Sequence, residues 1–323
     1  MDPVTSPSPV PVVRRRVAVL THSHREQAIS AAKQFIAGMA DHNIICVLPA
    51  KDLEIMGDLG GAPVEQLADE HNGASCELVV IFGGDGTILR GAEWALLADI
   101  PLLGVNLGHV GFLAEAEATE IDETVKHVVA REYRVEERLT VDVEILDEDG
   151  QVVWSTFAVN EVSVEKGARE RMIEVVVKVN DRSLSRWACD GVLVATPTGS
   201  TAYSFSAGGP VVWPGVEAML MVPLSAHALF NRPMVFPPKT TLEVELLPTV
   251  PKTEGIIWCD GRRSSPVWGG QTVRATAGQH RLLLARLGHS SFTDRLVRKF
   301  GLQVEGLRGV GEKRLAQPDG DAQ

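Results

Sequence analysis

The sequence predicts a fold in two parts, an α/β N-terminal domain with a parallel sheet and a β-rich C-terminal domain. Three observations carry this. Short, wholly apolar runs alternate with helical apolar periodicity up to about residue 135. Beyond that point apolar and polar residues alternate singly, the pattern of strands with one wet face. Glycine-rich turns directly follow two of the early apolar runs.

The elements follow in order. Residues 1–13 are rich in Pro and Ser and read as a disordered tail. The α/β domain spans 14–135. Its first strands are expected at 17–20 and 44–48, with a helix between them whose Ala28, Ile29, Ala32, Phe35, Ile36 and Met39 recur at helical spacing. The run 78–82, LVVIF, is the pattern of a parallel strand covered on both faces, and 102–105 is similar. A helical stretch lies between them at 88–97, and Thr119, Asp122, Val125, Val128 and Val129 suggest a helix capped by Thr119. The β-rich domain spans 136–288. A strand with Leu139, Val141, Val143 and Ile145 on one face turns at 147–150, DEDG, into a hairpin partner at 152–159. Further strands are expected at 173–179, 191–195, 241–247, 255–259 and 281–287. A helix within 289–305 carries Phe292, Leu296, Val297 and Phe300 on one face and is expected to complete the first domain, leaving 306–323 as a flexible tail.

With 323 residues the chain has ample length for buried cores, and its 45% apolar and 23% charged content is ordinary for a globular protein. A net charge of −11 excludes broad nucleic-acid binding, which needs a basic footprint, but permits a nucleotide held by a few local donors. The triplet Arg14, Arg15 and Arg16 reads as a solvated flank. Cys46, Cys76, Cys189 and Cys259 make no CxxC pair, which fits reduced thiols in a cytoplasmic protein. No apolar stretch has membrane-spanning length, so no membrane association is expected.

The chemistry begins at Gly83-Gly84-Asp85-Gly86-Thr87, between an apolar run and a helical stretch. Glycines there let backbone N–H groups approach a phosphate, and a helix N-terminus favours negative charge. Gly83, Gly84, Gly86 and Thr87 are therefore phosphate-binding candidates. An aspartate in such a turn would repel phosphate, and makes sense if it faces a hydroxyl that must lose a proton; a helix cap is its other open role. Arg90, one turn on, can offset the charge near the phosphates. The first strand leads into Thr21-His22-Ser23-His24 rather than G-x-G-x-x-G, and no G-x-x-x-x-G-K-[ST] occurs, which excludes a standard dinucleotide-binding dehydrogenase and a P-loop kinase.

A second signal is Asp190-Gly191, an apolar run, and then Thr196-Pro197-Thr198-Gly199-Ser200-Thr201-Ala202-Tyr203. This dense set of hydroxyls is suited to ribose and adenine, with Tyr203 packing on a ring. Asn160-Glu161 can pair with an adenine edge and ribose hydroxyls. In Asn106-Leu107-Gly108-His109-Val110-Gly111-Phe112-Leu113 the glycines suggest a close approach to ligand, with Phe112 as a wall.

Together GGDGT at 83–87, NLGHVGFL at 106–113, NE at 160–161 and DGVLVATPTGSTAYSFSAGGP at 190–210 resemble the NAD kinase family. GGDG alone is shared with lipid kinases and phosphofructokinases; the last motif is long and specific. The resemblance implies the NAD kinase/diacylglycerol kinase-like α/β domain, an NAD site between the two domains, and transfer of a phosphoryl group to the adenosine-ribose 2′-hydroxyl. ATP with a divalent metal, Mg2+, would be the donor, or polyphosphate in some members, and the protein would be a homo-oligomer, commonly a tetramer. Carried over residue by residue, Asp85 matches the catalytic aspartate and Gly86 its neighbour at the ligand. Asn160, Glu161, Asp190 and the stretch Thr201, Ala202, Tyr203, Ser204, Phe205 and Ser206 match NAD-contacting positions, and Arg171 a basic contact. With Arg90, Phe112 and Thr198 these make up the expected NAD site. Ala188 stands where many bacterial members have Arg, so Arg186 is the substitute candidate, and Arg262 follows Asp260-Gly261 where Gln is frequent. A diacylglycerol-type lipid kinase or a non-catalytic NAD(H)-sensing regulator are the alternatives; the first lacks a membrane-facing element here, and the second leaves the aspartate unexplained.

Overall fold

The computed structural model describes residues 14–67, 75–108, 111–167, 171–248, 254–288 and 291–303. Both expected tails, and His109, lie outside them.

Eight strands form the first sheet. Its parallel centre is ordered Val64–Gln66, Ile45–Leu48, Arg16–Thr21, Leu78–Phe82, Leu102–Asn106, with Ala116–Glu117 beside the last. The two central strands are buried along their whole length because helices cover both faces, which is why they read as unbroken apolar runs. Glu26–Asp41 lays Ala28, Ala32, Phe35, Ile36 and Met39 on one face, where Phe35 meets Phe82 with ring centroids 5.6 Å apart. Asp85–Ala98 covers the opposite face through Ile88, Leu89, Ala92 and Ala95.

Two six-stranded antiparallel sheets follow, ordered 234–236, 219–224, 191–195, 161–166, 254–259, 263–268 and 182–189, 173–179, 242–246, 272–277, 141–146, 152–158. Val143, Val175, Val177 and Val244 of one sheet share a core with Val162, Val164, Val192, Val194 and Ile257 of the other, around a fully buried Trp187.

Three expectations change. The strand expected at 281–287 in the β-rich domain is Leu282–Arg286, and it joins the first sheet, parallel to Leu102–Asn106 and antiparallel to Arg134–Arg138. The sheet is therefore mixed, and the chain returns to it after building the sandwich. The helix at Thr119 starts at Ile121, with Glu120 at its cap position and no side-chain cap; Thr119 lies in a 3-10 turn. The last helix, Phe292–Phe300, carries a capping box between Ser291 and Asp294 and buries Arg295 with Leu296, not a purely apolar face. Arg295 donates from Nη1 to the carbonyls of Ala114 (2.6 Å) and Phe112 (3.2 Å). The four cysteines are buried free thiols, and among the described residues no helix is long and apolar enough to cross a membrane.

Candidate active site

Strand Leu78–Phe82 ends at Gly83, whose N–H bonds the carbonyl of Val105 at 2.9 Å. Gly84 takes the cap position of helix Asp85–Ala98, and no side chain caps that helix. The cap role for Asp85 is thereby removed: it is the first helical residue, and its carboxylate leans the other way. Oδ2 accepts from the N–H of Phe112 at 3.3 Å and Oδ1 from that of Leu113 at 3.4 Å. Gly111 permits this approach, since a Cβ there would fall 2.3 Å from Asp85 Oδ1. The carboxylate is thus held across the carboxyl ends of two neighbouring parallel strands, where open α/β sheets bind ligands.

Beside it a cavity of about 320 Å³ is lined by His22, Ser23, Arg25, Gly84, Gly86, Thr87, Arg90 and Arg262. Three guanidinium groups and a helix N-terminus converge there, the chemistry that holds phosphate. Arg90 is braced by its bond from Nη2 to the carbonyl of Thr21 (2.8 Å), whose own N–H bonds the buried Asp52 at 2.9 Å. Burial, then Arg25, hold the His22 imidazole below its usual pKa, so it adds little positive charge at neutral pH.

The second half of the site hangs on Asp260, at the turn between strands Glu254–Cys259 and Arg263–Trp268. Its buried carboxylate accepts from the N–H groups of Val159 (2.9 Å), Asn160 (2.7 Å) and Glu161 (3.3 Å) and pairs with Arg263 at 3.0 Å. Asn160 and Glu161 are buried too. Burial, followed by the neighbouring Asp260, raises the Glu161 carboxyl to about 8; the N–H of Tyr203 bonds it and opposes the rise. Among the described residues Glu161 Oε2 has no hydrogen-bond partner.

The 196–206 loop crosses directly over this pair. A Cβ on Gly199 would lie 2.0 Å from the carbonyl oxygen of Asn160, so only glycine fits. Its hydroxyls, expected to face ligand, are largely engaged within the loop. Thr196 donates to the carbonyl of Val159 (2.6 Å), Ser200 to that of Pro197 (2.7 Å), and Thr201 to that of Thr198 (3.3 Å). Thr198 and Ser204 are buried, whereas Tyr203 and Phe205 are each 41% exposed.

Tyr203 and Ser206 line a cavity of about 640 Å³ with Asp190, Lys166 and Glu165. Lys166 Nζ bonds Asp190 Oδ1 at 2.5 Å and holds that carboxyl below its usual pKa. Phe112 faces Phe292 at 5.7 Å and Phe300 at 6.0 Å, and Phe205 stacks 4.5 Å from Phe300, so both phenylalanines are built into a cluster on the last helix. Arg171 lies exposed before strand Ile173–Val179 and lines neither cavity; Arg186 pairs with Glu174 on an outer strand. Among the described residues no cluster of three or more His, Cys, Asp or Glu could hold a metal ion by itself.

Sequence reasoning missed Arg25, Lys166 and the anchoring role of Asp260. The Asp260-Gly261 pair signalled a turn, but nothing local signals that its carboxylate binds a backbone segment about a hundred residues away.

Residues 17–133 match the profile of the ATP-NAD kinase N-terminal domain, and residues 159–287 that of the ATP-NAD kinase C-terminal domain. The chain belongs to the NAD kinase family. The NAD kinase of Cutibacterium acnes is 49% identical over 305 residues, covering 94% of this chain and 93% of that protein. The NAD kinase of Mycobacterium tuberculosis is 46% identical, covering 91% and 98%. Among solved structures, yeast NADH kinase complexed with NADH aligns with a TM-score of 0.80 at 22% identity over 91% of this chain and 89% of that one. An NAD kinase from Archaeoglobus fulgidus in complex with ATP aligns at 0.64 with 24% identity over 88% and 97%. At these identities the two bear on the fold alone.

Proposed function

We propose that this chain transfers the terminal phosphoryl group of ATP to the 2′-hydroxyl of the adenosine ribose of NAD, yielding NADP and ADP. One observation carries the reading: a carboxylate freed from helix capping stands beside an arginine-lined phosphate cavity. Arg25, Arg90, Arg262 and the N–H groups at the start of helix Asp85–Ala98 would hold the donor phosphates. The cavity at Tyr203 and Asp190, with Asn160 and Glu161, would take the adenosine half of NAD. Asp85 accepts the 2′-hydroxyl proton as that oxygen bonds the terminal phosphorus and the bond to the bridging oxygen of ADP breaks.

A divalent ion fits this site as part of the donor, because Mg2+ is commonly bound by one or two carboxylates together with substrate phosphates. Asp85, part-buried between the cavity-lining Gly84 and Gly86, would hold it, and the ion would neutralise phosphate charge. Polyphosphate is an alternative donor that the same cations could bind. A cytoplasmic homo-oligomer, a tetramer, is part of the proposal; exposed Leu229, Phe230 and Val216 on the β-rich part support subunit contacts there. The test is direct: purified protein with NAD, ATP and Mg2+ should form NADP. Phosphorylation of diacylglycerol, or NAD binding without NADP formation, would overturn it in favour of a lipid kinase or a regulator respectively.

A further inference from the structure

A separate cavity, of about 180 Å³, opens between strand Arg134–Arg138, strand Leu282–Arg286 and helix Phe292–Phe300. Arg134, Arg138, Arg286 and Arg295 line it, with Glu115 and Glu136. Four guanidinium groups against two carboxylates leave a surplus of two positive charges.

Most of that charge is buried. Arg138, Arg286 and Arg295 are 5–7% exposed, and buried charge is costly unless fully paired. Glu115 and Glu136 are shared among them. Arg286 bonds Glu136 at 2.8 Å and Glu115 at 2.9 Å, and Arg295 takes the same Glu115 oxygen. Arg138 reaches Glu136 from Nη2 at 3.2 Å, while its buried Nε has no hydrogen-bond partner among the described residues. Burial and the nearby Arg286 lower its pKa to about 10, so it stays charged at neutral pH. Register adds an independent sign of the same surplus: Arg134 stands directly opposite Arg286 across the two strands. Like charges in that position are destabilising without an intervening anion.

We propose that this cavity binds a compact doubly charged oxyanion, a phosphate or a small dicarboxylate, between Arg134 and Arg138, with Arg286 and Arg295 behind. Two charges match the surplus, and the volume admits a small anion. The site shares no arginine with the donor cavity, whose cations are Arg25, Arg90 and Arg262. Arg295 also holds the carbonyls of Phe112 and Ala114, so an occupant would abut the loop whose N–H groups hold Asp85.

Calorimetric titration of the full chain with inorganic phosphate and, separately, malonate at constant ionic strength tests this. Wild-type protein should bind at least one saturably, and the tighter of the two identifies the source. Arg134→Ala, at an exposed position that should not disturb folding, should weaken that binding about tenfold or more, the worth of a charge-assisted hydrogen bond. Arg138→Gln should do the same if it folds, and Arg262→Ala should leave the event intact. No saturable binding by the wild type, binding unchanged in Arg134→Ala, or binding lost in Arg262→Ala would each overturn the assignment.

Discussion

The turn at 83–87 and the loop at 196–206 both read in the sequence as ligand-binding, yet they are built on opposite principles. In the turn, the space beside Gly84 and Gly86 is open, with no atom within 4 Å of where a Cβ would stand, and the arginines around them line a shared cavity. In the loop, the hydroxyls of Thr196, Ser200 and Thr201 are committed to neighbouring carbonyls. The first leaves its polar groups open for a ligand. The second uses them to hold a backbone shape, and offers Tyr203 and the Asn160-Glu161 pair beneath it. A dense run of hydroxyls therefore signals a fixed loop as readily as a binding surface.

The largest expected effect lies at the turn. Asp85→Asn keeps the size of the side chain and one of its two bonds from the 111–113 loop but removes the proton acceptor, and kcat should fall by about 10²–10⁴-fold. Steady-state kinetics with NADP readout check this, and near-normal turnover would break the contrast. Next, Arg262→Ala should raise KM for ATP about tenfold to a hundredfold while moving KM for NAD far less. A matching rise for NAD would mean that the two cavities are not divided between the substrates.

The sequence made some of this legible and hid the rest for physical reasons. The strand Leu78–Phe82 was readable because burial on both faces leaves a continuous apolar run. Leu282–Arg286 was readable as a strand but not as a member of the first sheet, since its partners, 102–106 and 134–138, are set by chain topology and not by any local pattern. The same holds for the site. Asp85 and the glycines announced themselves by type and spacing. Asp260 did not, because binding the N–H groups of 159–161 is a long-range contact, and Arg295 was hidden in a helix whose phenylalanines dominated its periodicity.

A smaller effect is expected in the loop. Ser200 is fully buried and both donates to the carbonyl of Pro197 and accepts from the N–H of Val212 at 2.9 Å. Ser200→Ala should cost about 1–3 kcal/mol of stability by leaving the part-buried N–H of Val212 unpaired. Denaturant melts would show it, and an unchanged midpoint with a raised KM for NAD would make Ser200 a ligand contact instead. Glu161 provides the pH test. Its folded-state pKa of about 8 lies above the ordinary 4.5, so its stabilising contribution is complete below about 4.5 and is lost as pH rises through about 8. Glu161→Gln should flatten that decline in melting temperature; a decline of wild-type size would place its origin elsewhere.

Asp85 thus serves the chemistry while the loop and Asn160-Glu161 serve NAD binding. Calorimetric titration of NAD into Asp85→Asn beside the wild type separates the two roles. Dissociation constants within about tenfold of each other are expected despite the collapse in turnover. An NAD affinity that falls as far as kcat would contradict this division, and would make Asp85 part of the binding site alone.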